Sequence, residues 1–353
     1  MHDLRFTRRG FLLASSALGL SAYAPSLLAA PAASPVTPQL IEAAKKEGKV
    51  VWYTSVDLPL AQKVAQAFEA KHAGVAVKVE RTGAERVFQR IGQEYSSKIH
   101  AVDAVNSSDA AHLLVWKREG ILAPYMTEDM AKSYPPEHVD PDGMFASFRA
   151  TLSPIAYNTK LVNADEAPKS FKDLLDPKWS GKMVKSHPGY SGSTLTATFQ
   201  TARDLGWPYF EALAKQKVMQ VQSATEPPKK LSLGERAVAV DGVEYVFLQL
   251  IEKGNPIAIV YPAEGTPLVV GPSAIMKNAP NPNAARLFHG FLFSRECQQL
   301  IVDVGGLRSF HKEVKDKAGR TPLTKIKLMK EDPAEVEKQV EEIKAKYTAL
   351  FKV

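Results

Sequence analysis

Residues 49–72 read KVVWYTSVDLPLAQKVAQAFEAKH. From Lys49 to Ser55 apolar and β-branched side chains run almost without a break, as in a strand buried on both faces. From Leu58 onward the apolar residues fall at helical spacing. The alternation then repeats. VAVKVERTG (75–83) reads as a strand, AERVFQRIGQEYSSK (84–98) as a helix, AVDAVNSSD (101–109) as the end of a third strand and AAHLLVWKREG (110–120) as a third helix. Strand and helix in this rhythm predict an α/β unit around a parallel sheet.

Working outward, PQLIEAAKKEGKV (38–50) reads as an amphipathic helix ending at Gly48. FASFRATLSPIAYNTK (145–160) reads as an extended crossover with Pro154 in its middle. A second α/β unit follows, with strands in GKMVKS (181–186), VMQVQS (218–223), AVAVDG (237–242) and IAIVYP (257–262). GSTLTATFQTARDLG (192–206) and VEYVFLQLIEKG (243–254) are its helices. PLVVGPSAIMK (267–277) reads as a second crossover, and DPAEVEKQVEEIKAKYTALFK (332–352) as a charged amphipathic helix. The expected division is a leader at 1–32, the first part of lobe 1 at 33–152 and lobe 2 at 153–268. Residues 269–353 then return to lobe 1, with C-terminal helices packing across the lobes. Two α/β lobes joined by two hinge crossovers describe a clamp. Its cleft is lined by the loops beyond the carboxyl ends of the strands, and it closes by a hinge motion.

The leader begins FTRRGFLLASSALGL (6–20) and offers a small-residue exit at Ala30-Pro31-Ala32. A charged start, a short apolar run and such an exit predict export. Arg8 and Arg9 match the twin-arginine pattern, and an ordinary secretory route gives the same destination, the bacterial periplasm. The formal net charge is +7. The basic residues are interleaved with acids, so no nucleic-acid stripe forms. Cys297 is the one cysteine. It excludes an internal disulfide and a cysteine metal cluster, and its place in a helical pattern reads as a buried thiol. No nucleophile elbow, Walker, Rossmann or zinc-protease motif occurs. The reading is therefore a binding protein without catalytic residues or cofactor.

The chain resembles a known family. VVWYTSVDLPLAQKVAQAFEAKH, RTGAERVFQRIGQE, GILAPY, IAYNTKLV, SFKDLLDPKWSGKM, VYPAEGTPLVV and AIMKNAPNPNAARLFHGFLFSRECQ look like segments of the ferric-iron-binding type of periplasmic ABC-transporter solute-binding protein. The resemblance implies a two-lobed, type II periplasmic-binding fold, a monomer that captures a solute and delivers it to an inner-membrane permease. It leaves the ligand open, since such proteins take ferric iron, phosphonates, sugar phosphates, polyamines or thiamine. A binding partner of a sensor kinase is the alternative role. Ferric members carry adjacent tyrosines where VDGVEYVF (240–247) has Tyr245 alone. They also carry a carboxylate where this chain has NSSD (106–109). If a metal is held, the resemblance leaves Asp57, Glu244 and Tyr245 to hold it.

The best single candidate for the site is HPGYSGSTLTATF (187–199). A helix starting near Ser193 presents free backbone N–H groups, which with the helix dipole favour an anion. Tyr190, Ser191, Ser193 and Thr194 add hydroxyls, and Gly189 and Gly192 permit close approach. Thr54 and Ser55 end the first strand, where they either face the cleft or cap a helix. Arg81, with Thr82 beside it, offers a planar fork to a carboxylate or phosphate. Ser107 and Ser108 end the third strand. Tyr157 in the crossover either reaches the cleft or packs the hinge. The expected ligand is a small anion: a carboxylate, phosphonate or phosphate ester.

Overall fold

The computed structural model describes residues 31–353, so the leader reading at 1–30 lies outside the described residues. In chain order the first helices and strands are α1 (Pro38–Glu47), β1 (Lys49–Thr54), α2 (Leu58–Lys71), β2 (Ala76–Arg81), α3 (Ala84–Ser96), β3 (Ala104–Asn106), α4 (Ala110–Arg118), β4 (Leu122–Ala123), α5 (Glu128–Ser133) and β5 (Phe145–Leu152). The chain then forms β6 (Ile155–Asn158), β7 (Met183–Ser186), α6 (Gly192–Leu205), α7 (Trp207–Ala214), β8 (Met219–Val221), α8 (Glu226–Ser232), β9 (Val238–Ala239), α9 (Glu244–Glu252) and β10 (Ile257–Val260). It closes with β11 (Leu268–Met276), α10 (Pro282–Phe293), α11 (Arg295–Asp303) and α12 (Pro333–Phe351).

Among the described residues two sheets form, ordered β2-β1-β3-β11-β4 with β5 on β11, and β10-β6-β9-β7-β8. β1 is parallel to β2 and β3, and β7 to β8 and β9. Neither sheet is parallel throughout. β11 runs antiparallel to β3, β4 and β5, and β6 antiparallel to β9 and β10. The physical reason lies in the crossovers, which are themselves strands. The chain leaves the first sheet through β5 and re-enters it through β11 in the opposite direction. Each lobe has its own core. Trp52, Phe68 and Phe288 meet edge to face behind the first sheet, with centroids 5.2 and 5.1 Å apart. Such contacts add about 0.5–1.5 kcal/mol each beyond area burial. Phe210, Leu213 and Trp179 pack in the second lobe, and α12 bridges the two by packing on α4, α6 and α7.

One buried ion cluster fixes α9. Arg308 donates through Nε and Nη2 to both oxygens of Glu244, at 2.9 and 2.8 Å. Arg320 and the hydroxyl of Tyr261 donate to the same carboxylate. Burial pushes the Glu244 carboxyl up. The Arg308 hydrogen bond and the charges of Arg320 and Arg308 outweigh that and hold it below its ordinary value. Glu244→Ala leaves two buried guanidiniums with only the partly exposed Asp316, 3.9 Å from Arg308, as a counter-charge, so urea unfolding should show a loss of about 3–5 kcal/mol. In the wild type, the depressed pKa means this contribution is complete above about pH 4.3 and lost as pH falls through the folded-state value.

Candidate functional site

The loops beyond β1, β2 and β3 face those beyond β7, β8 and β9 across a cavity of about 220 Å³. The walls are in contact at their edges. The Arg86 guanidinium donates to the Gln222 side chain at 3.1 Å. The first residue of α6, Gly192, lies so close to the first lobe that a Cβ there would stand 2.9 Å from Asp109 Cβ and 3.1 Å from Ala84 Cβ.

The dominant feature of the cavity is positive charge without a partner. Arg149, in the middle of β5, is 2 % exposed. Its Nη2 donates to Ser55 Oγ at 3.3 Å, while its buried Nε has no hydrogen-bond partner. Opposite it in the ladder stands Gly271, where a Cβ would come within 3.0 Å of the arginine's Cγ and Nε. Glycine there is what leaves room for the side chain. Burial pulls the Arg149 pKa below its ordinary value; nearby Tyr245 opposes that and Arg81 adds to it. Arg81 donates through Nε to the Val56 carbonyl at 3.2 Å. Neither Arg81 nor Arg149 forms an ion pair among the described residues. Glu226 is the one carboxylate in the lining, against Arg81, Arg86 and Arg149, and it already accepts from the Ser223 amide. Removing such charge from water is costly unless a counter-charge is supplied.

Around these cations the structure gathers polar groups. Ser191 caps α6, its Oγ accepting from the Thr194 amide at 3.4 Å. Ser193 follows in the first turn, whose amides have no partner within the helix. Ser108 faces them from the first lobe, and half-exposed Tyr190 stands at the mouth. Tyr245 lies beneath, and burial pushes its phenol up to about 12 despite the charge of Arg149.

Of the residues singled out from sequence, Ser55, Arg81, Ser108, Tyr190, Ser191, Ser193 and Tyr245 line this cavity. The others lie elsewhere. Thr54 accepts from the Val56 amide and bonds to Asn106 in the core. Ser107 bonds to His112 and the Asp109 amide. Thr194 bonds to Ser186 beneath the helix, at 2.6 Å. Thr82 is held by its backbone to Thr54, and Tyr157 packs in the core of the second lobe. Gly192 approaches the opposite lobe rather than the cavity. Glu244 is wholly occupied by Arg308, Arg320 and Tyr261, so the trio Asp57, Glu244 and Tyr245 is not a free ligand set. His187, which opens the glycine-rich turn, is buried against Tyr347, and its Nδ1 accepts from the Gly189 amide. Arg149 was not singled out at all. Its signal was a lone charge within the apolar run FASFRATL, where a buried strand rarely keeps one.

Gly192→Ala should prevent this approach of the lobes. Its expected signature is a ligand-bound protein with a larger radius of gyration by X-ray scattering and affinity weakened about tenfold, ~1.4 kcal/mol.

Three comparisons place the chain among known proteins. It is 25% identical over 248 residues to iron uptake protein A1 of Synechocystis, covering 65% of this chain and 67% of that one. It is 25% identical over 199 residues to a putative 2-aminoethylphosphonate-binding periplasmic protein of Salmonella typhimurium, covering 53% and 56%. The structure superposes on the periplasmic binding protein AfuA of Actinobacillus pleuropneumoniae, solved with fructose-6-phosphate bound. The TM-score is 0.79 at 23% identity, over 87% of this chain and 99% of AfuA. The fold is thus the two-lobed, type II fold of periplasmic binding proteins. The family model for bacterial extracellular solute-binding proteins matches residues 107–326. The chain belongs to the bacterial extracellular solute-binding protein family.

Proposed function

We propose that this protein is the periplasmic solute-binding component of an ABC importer and that its cargo is a small anion, best a phosphate ester or phosphonate. The observation that carries the reading is the buried, unpaired guanidinium of Arg149 beside Arg81. A dianion between the two would supply the missing counter-charge, and an arginine fork suits its oxygens. The start of α6 would offer Ser191, Ser193 and backbone N–H groups to the same ligand. Relatives named for 2-aminoethylphosphonate binding and a structural neighbour holding fructose-6-phosphate agree with this chemistry. A ferric ion fits less well. Arg81 and Arg149 would repel it, and Glu244 is already engaged.

In this reading lobes 33–152 and 153–268 close on the solute, and the closed monomer presents it to a permease in the inner membrane. Among the described residues no helix is long and apolar enough to cross a membrane. The role is capture, with no catalytic step.

A thermal-shift panel of phosphate esters, phosphonates, carboxylates and ferric salts tests the reading. A true ligand at about 100 Kd should stabilise by about 2.7 kcal/mol. Stabilisation by ferric salts alone, with a phenolate colour, would sink it. Arg149→Met has a two-sided expectation. It should raise the melting temperature of the free protein, because an uncompensated buried charge is gone. It should also cost about 2–5 kcal/mol of anion affinity. Unchanged affinity would remove Arg149 from the site. A phosphate ester bound as its dianion should bind more weakly below about pH 6, where its second ionisation reverses, whereas a carboxylate should not.

A further inference from the structure

A second constellation lies behind the cleft wall, and the solute reading does not use it. Glu85 in the first turn of α3, Asp109 capping α4 and His112 in α4 are all buried. One ligand atom of each lies within 4.8 Å of those of the other two, and the inner atoms Glu85 Oε1 and Asp109 Oδ2 both approach His112 Nε2. His112 Nε2 stands 3.1 Å from Glu85 Oε1 and 3.7 Å from Asp109 Oδ2.

We propose that Glu85, Asp109 and His112 form a binding site for a divalent first-row cation of the zinc class. The outer atom of each group is tied to the protein, and the inner atoms of the two carboxylates approach that of His112. His112 Nδ1 bonds to Ser107 Oγ at 2.9 Å, Asp109 Oδ1 accepts from the Ala111 amide at 2.9 Å, and Glu85 Oε2 accepts from Lys344 Nζ at 2.8 Å. Partners on the outer atoms are what orient metal ligands elsewhere. Phe88 stacks on the imidazole with centroids 4.4 Å apart, fixing the ring plane.

The second observation is Asp109 Oδ2. It is buried, has no hydrogen-bond partner and lies 3.7 Å from His112 Nε2. A buried carboxylate oxygen left in this way is costly. Beside the two buried carboxylates stand the Lys344 ammonium and the His112 imidazole, and neither donates a hydrogen bond to Asp109 Oδ2. A divalent cation would satisfy that orphan oxygen. The spacing suits it, since ligand atoms on a tetrahedral zinc at ~2.1 Å lie about 3.4 Å apart. One imidazole and two carboxylates leave a fourth position for water. The site also sits at a junction. Ala84 and Ser108, the sequence neighbours of Glu85 and Asp109, line the cavity, Gly192 presses on Asp109, and Lys344 belongs to α12. A cation here would fasten α3 to α4 where the lobes meet.

The untagged full chain, stripped with a chelator, is titrated with zinc chloride by calorimetry and with cobalt chloride by visible absorption. One zinc per chain at micromolar or tighter affinity is expected, with ligand-field bands from cobalt. Asp109→Asn, nearly isosteric, should weaken zinc at least a hundredfold. Should that variant fail to fold by circular dichroism, Ser107→Ala should weaken zinc 10–100-fold through the lost outer partner. A wild type that takes up no zinc in this range overturns the proposal. So does uptake that survives Asp109→Asn, or Ser107→Ala in its place, including uptake lost instead in Tyr245→Phe, which would put the metal in the cleft.

Discussion

Both lobes hang from one antiparallel ladder. β5 and β11 pair from Phe145–Ala274 to Leu152–Leu268, with a register shift between Gly271 and Pro272. The chain leaves the first sheet at the end of β5 and returns to it at the start of β11, so both passages between the lobes lie at the same edge. This places the hinge and, through Arg149, the charge of the cavity on one element. The glycine opposite Arg149 and the bulge beside it open the space for the guanidinium. A side chain held in a paired strand keeps its position better than one on a loop.

The interior treats positive charge in two ways. Arg308 and Arg320 are buried with Glu244, and each guanidinium donates to that carboxylate. This cluster anchors the start of α9, which carries Tyr245. Arg149 is equally buried, yet its hydrogen bond to the neutral Ser55 hydroxyl brings no negative charge. Stability alone would favour an apolar residue there. The contrast between guanidiniums that hold a carboxylate and one that holds none separates scaffold from site better than exposure does, since both are hidden from water.

Much of the fold was legible in the sequence because burial writes itself as periodicity. KVVWYTS and VAVKVERTG announced β1 and β2, and the capping serine with its glycines announced α6. Strand pairing was not legible: PLVVGPSAIMK was read as a crossover, and that it also enters the first sheet as antiparallel β11, making the sheet mixed, was not foreseen. In the site, residues at the ends of strands were found because loops there face a cleft. Their orientation was not: Ser107 and Ser108 are adjacent, yet one turns to His112 and the other to the cavity. Arg149 escaped because it lies inside a strand rather than at its end. The trio Glu85, Asp109 and His112 escaped because two helices bring it together, across 27 residues of sequence.

The strand order has a consequence for how the molecule is made. Strands β6 to β10 all fall between Ile155 and Val260, so the second sheet can assemble from one uninterrupted stretch. The first sheet cannot, because β11 lies between β3 and β4 and is synthesised after the whole second lobe. On the ribosome the earlier half must therefore wait with an open edge on β3, and long-range pairings of this kind are slow to form. The sheet that begins the chain is the one completed last.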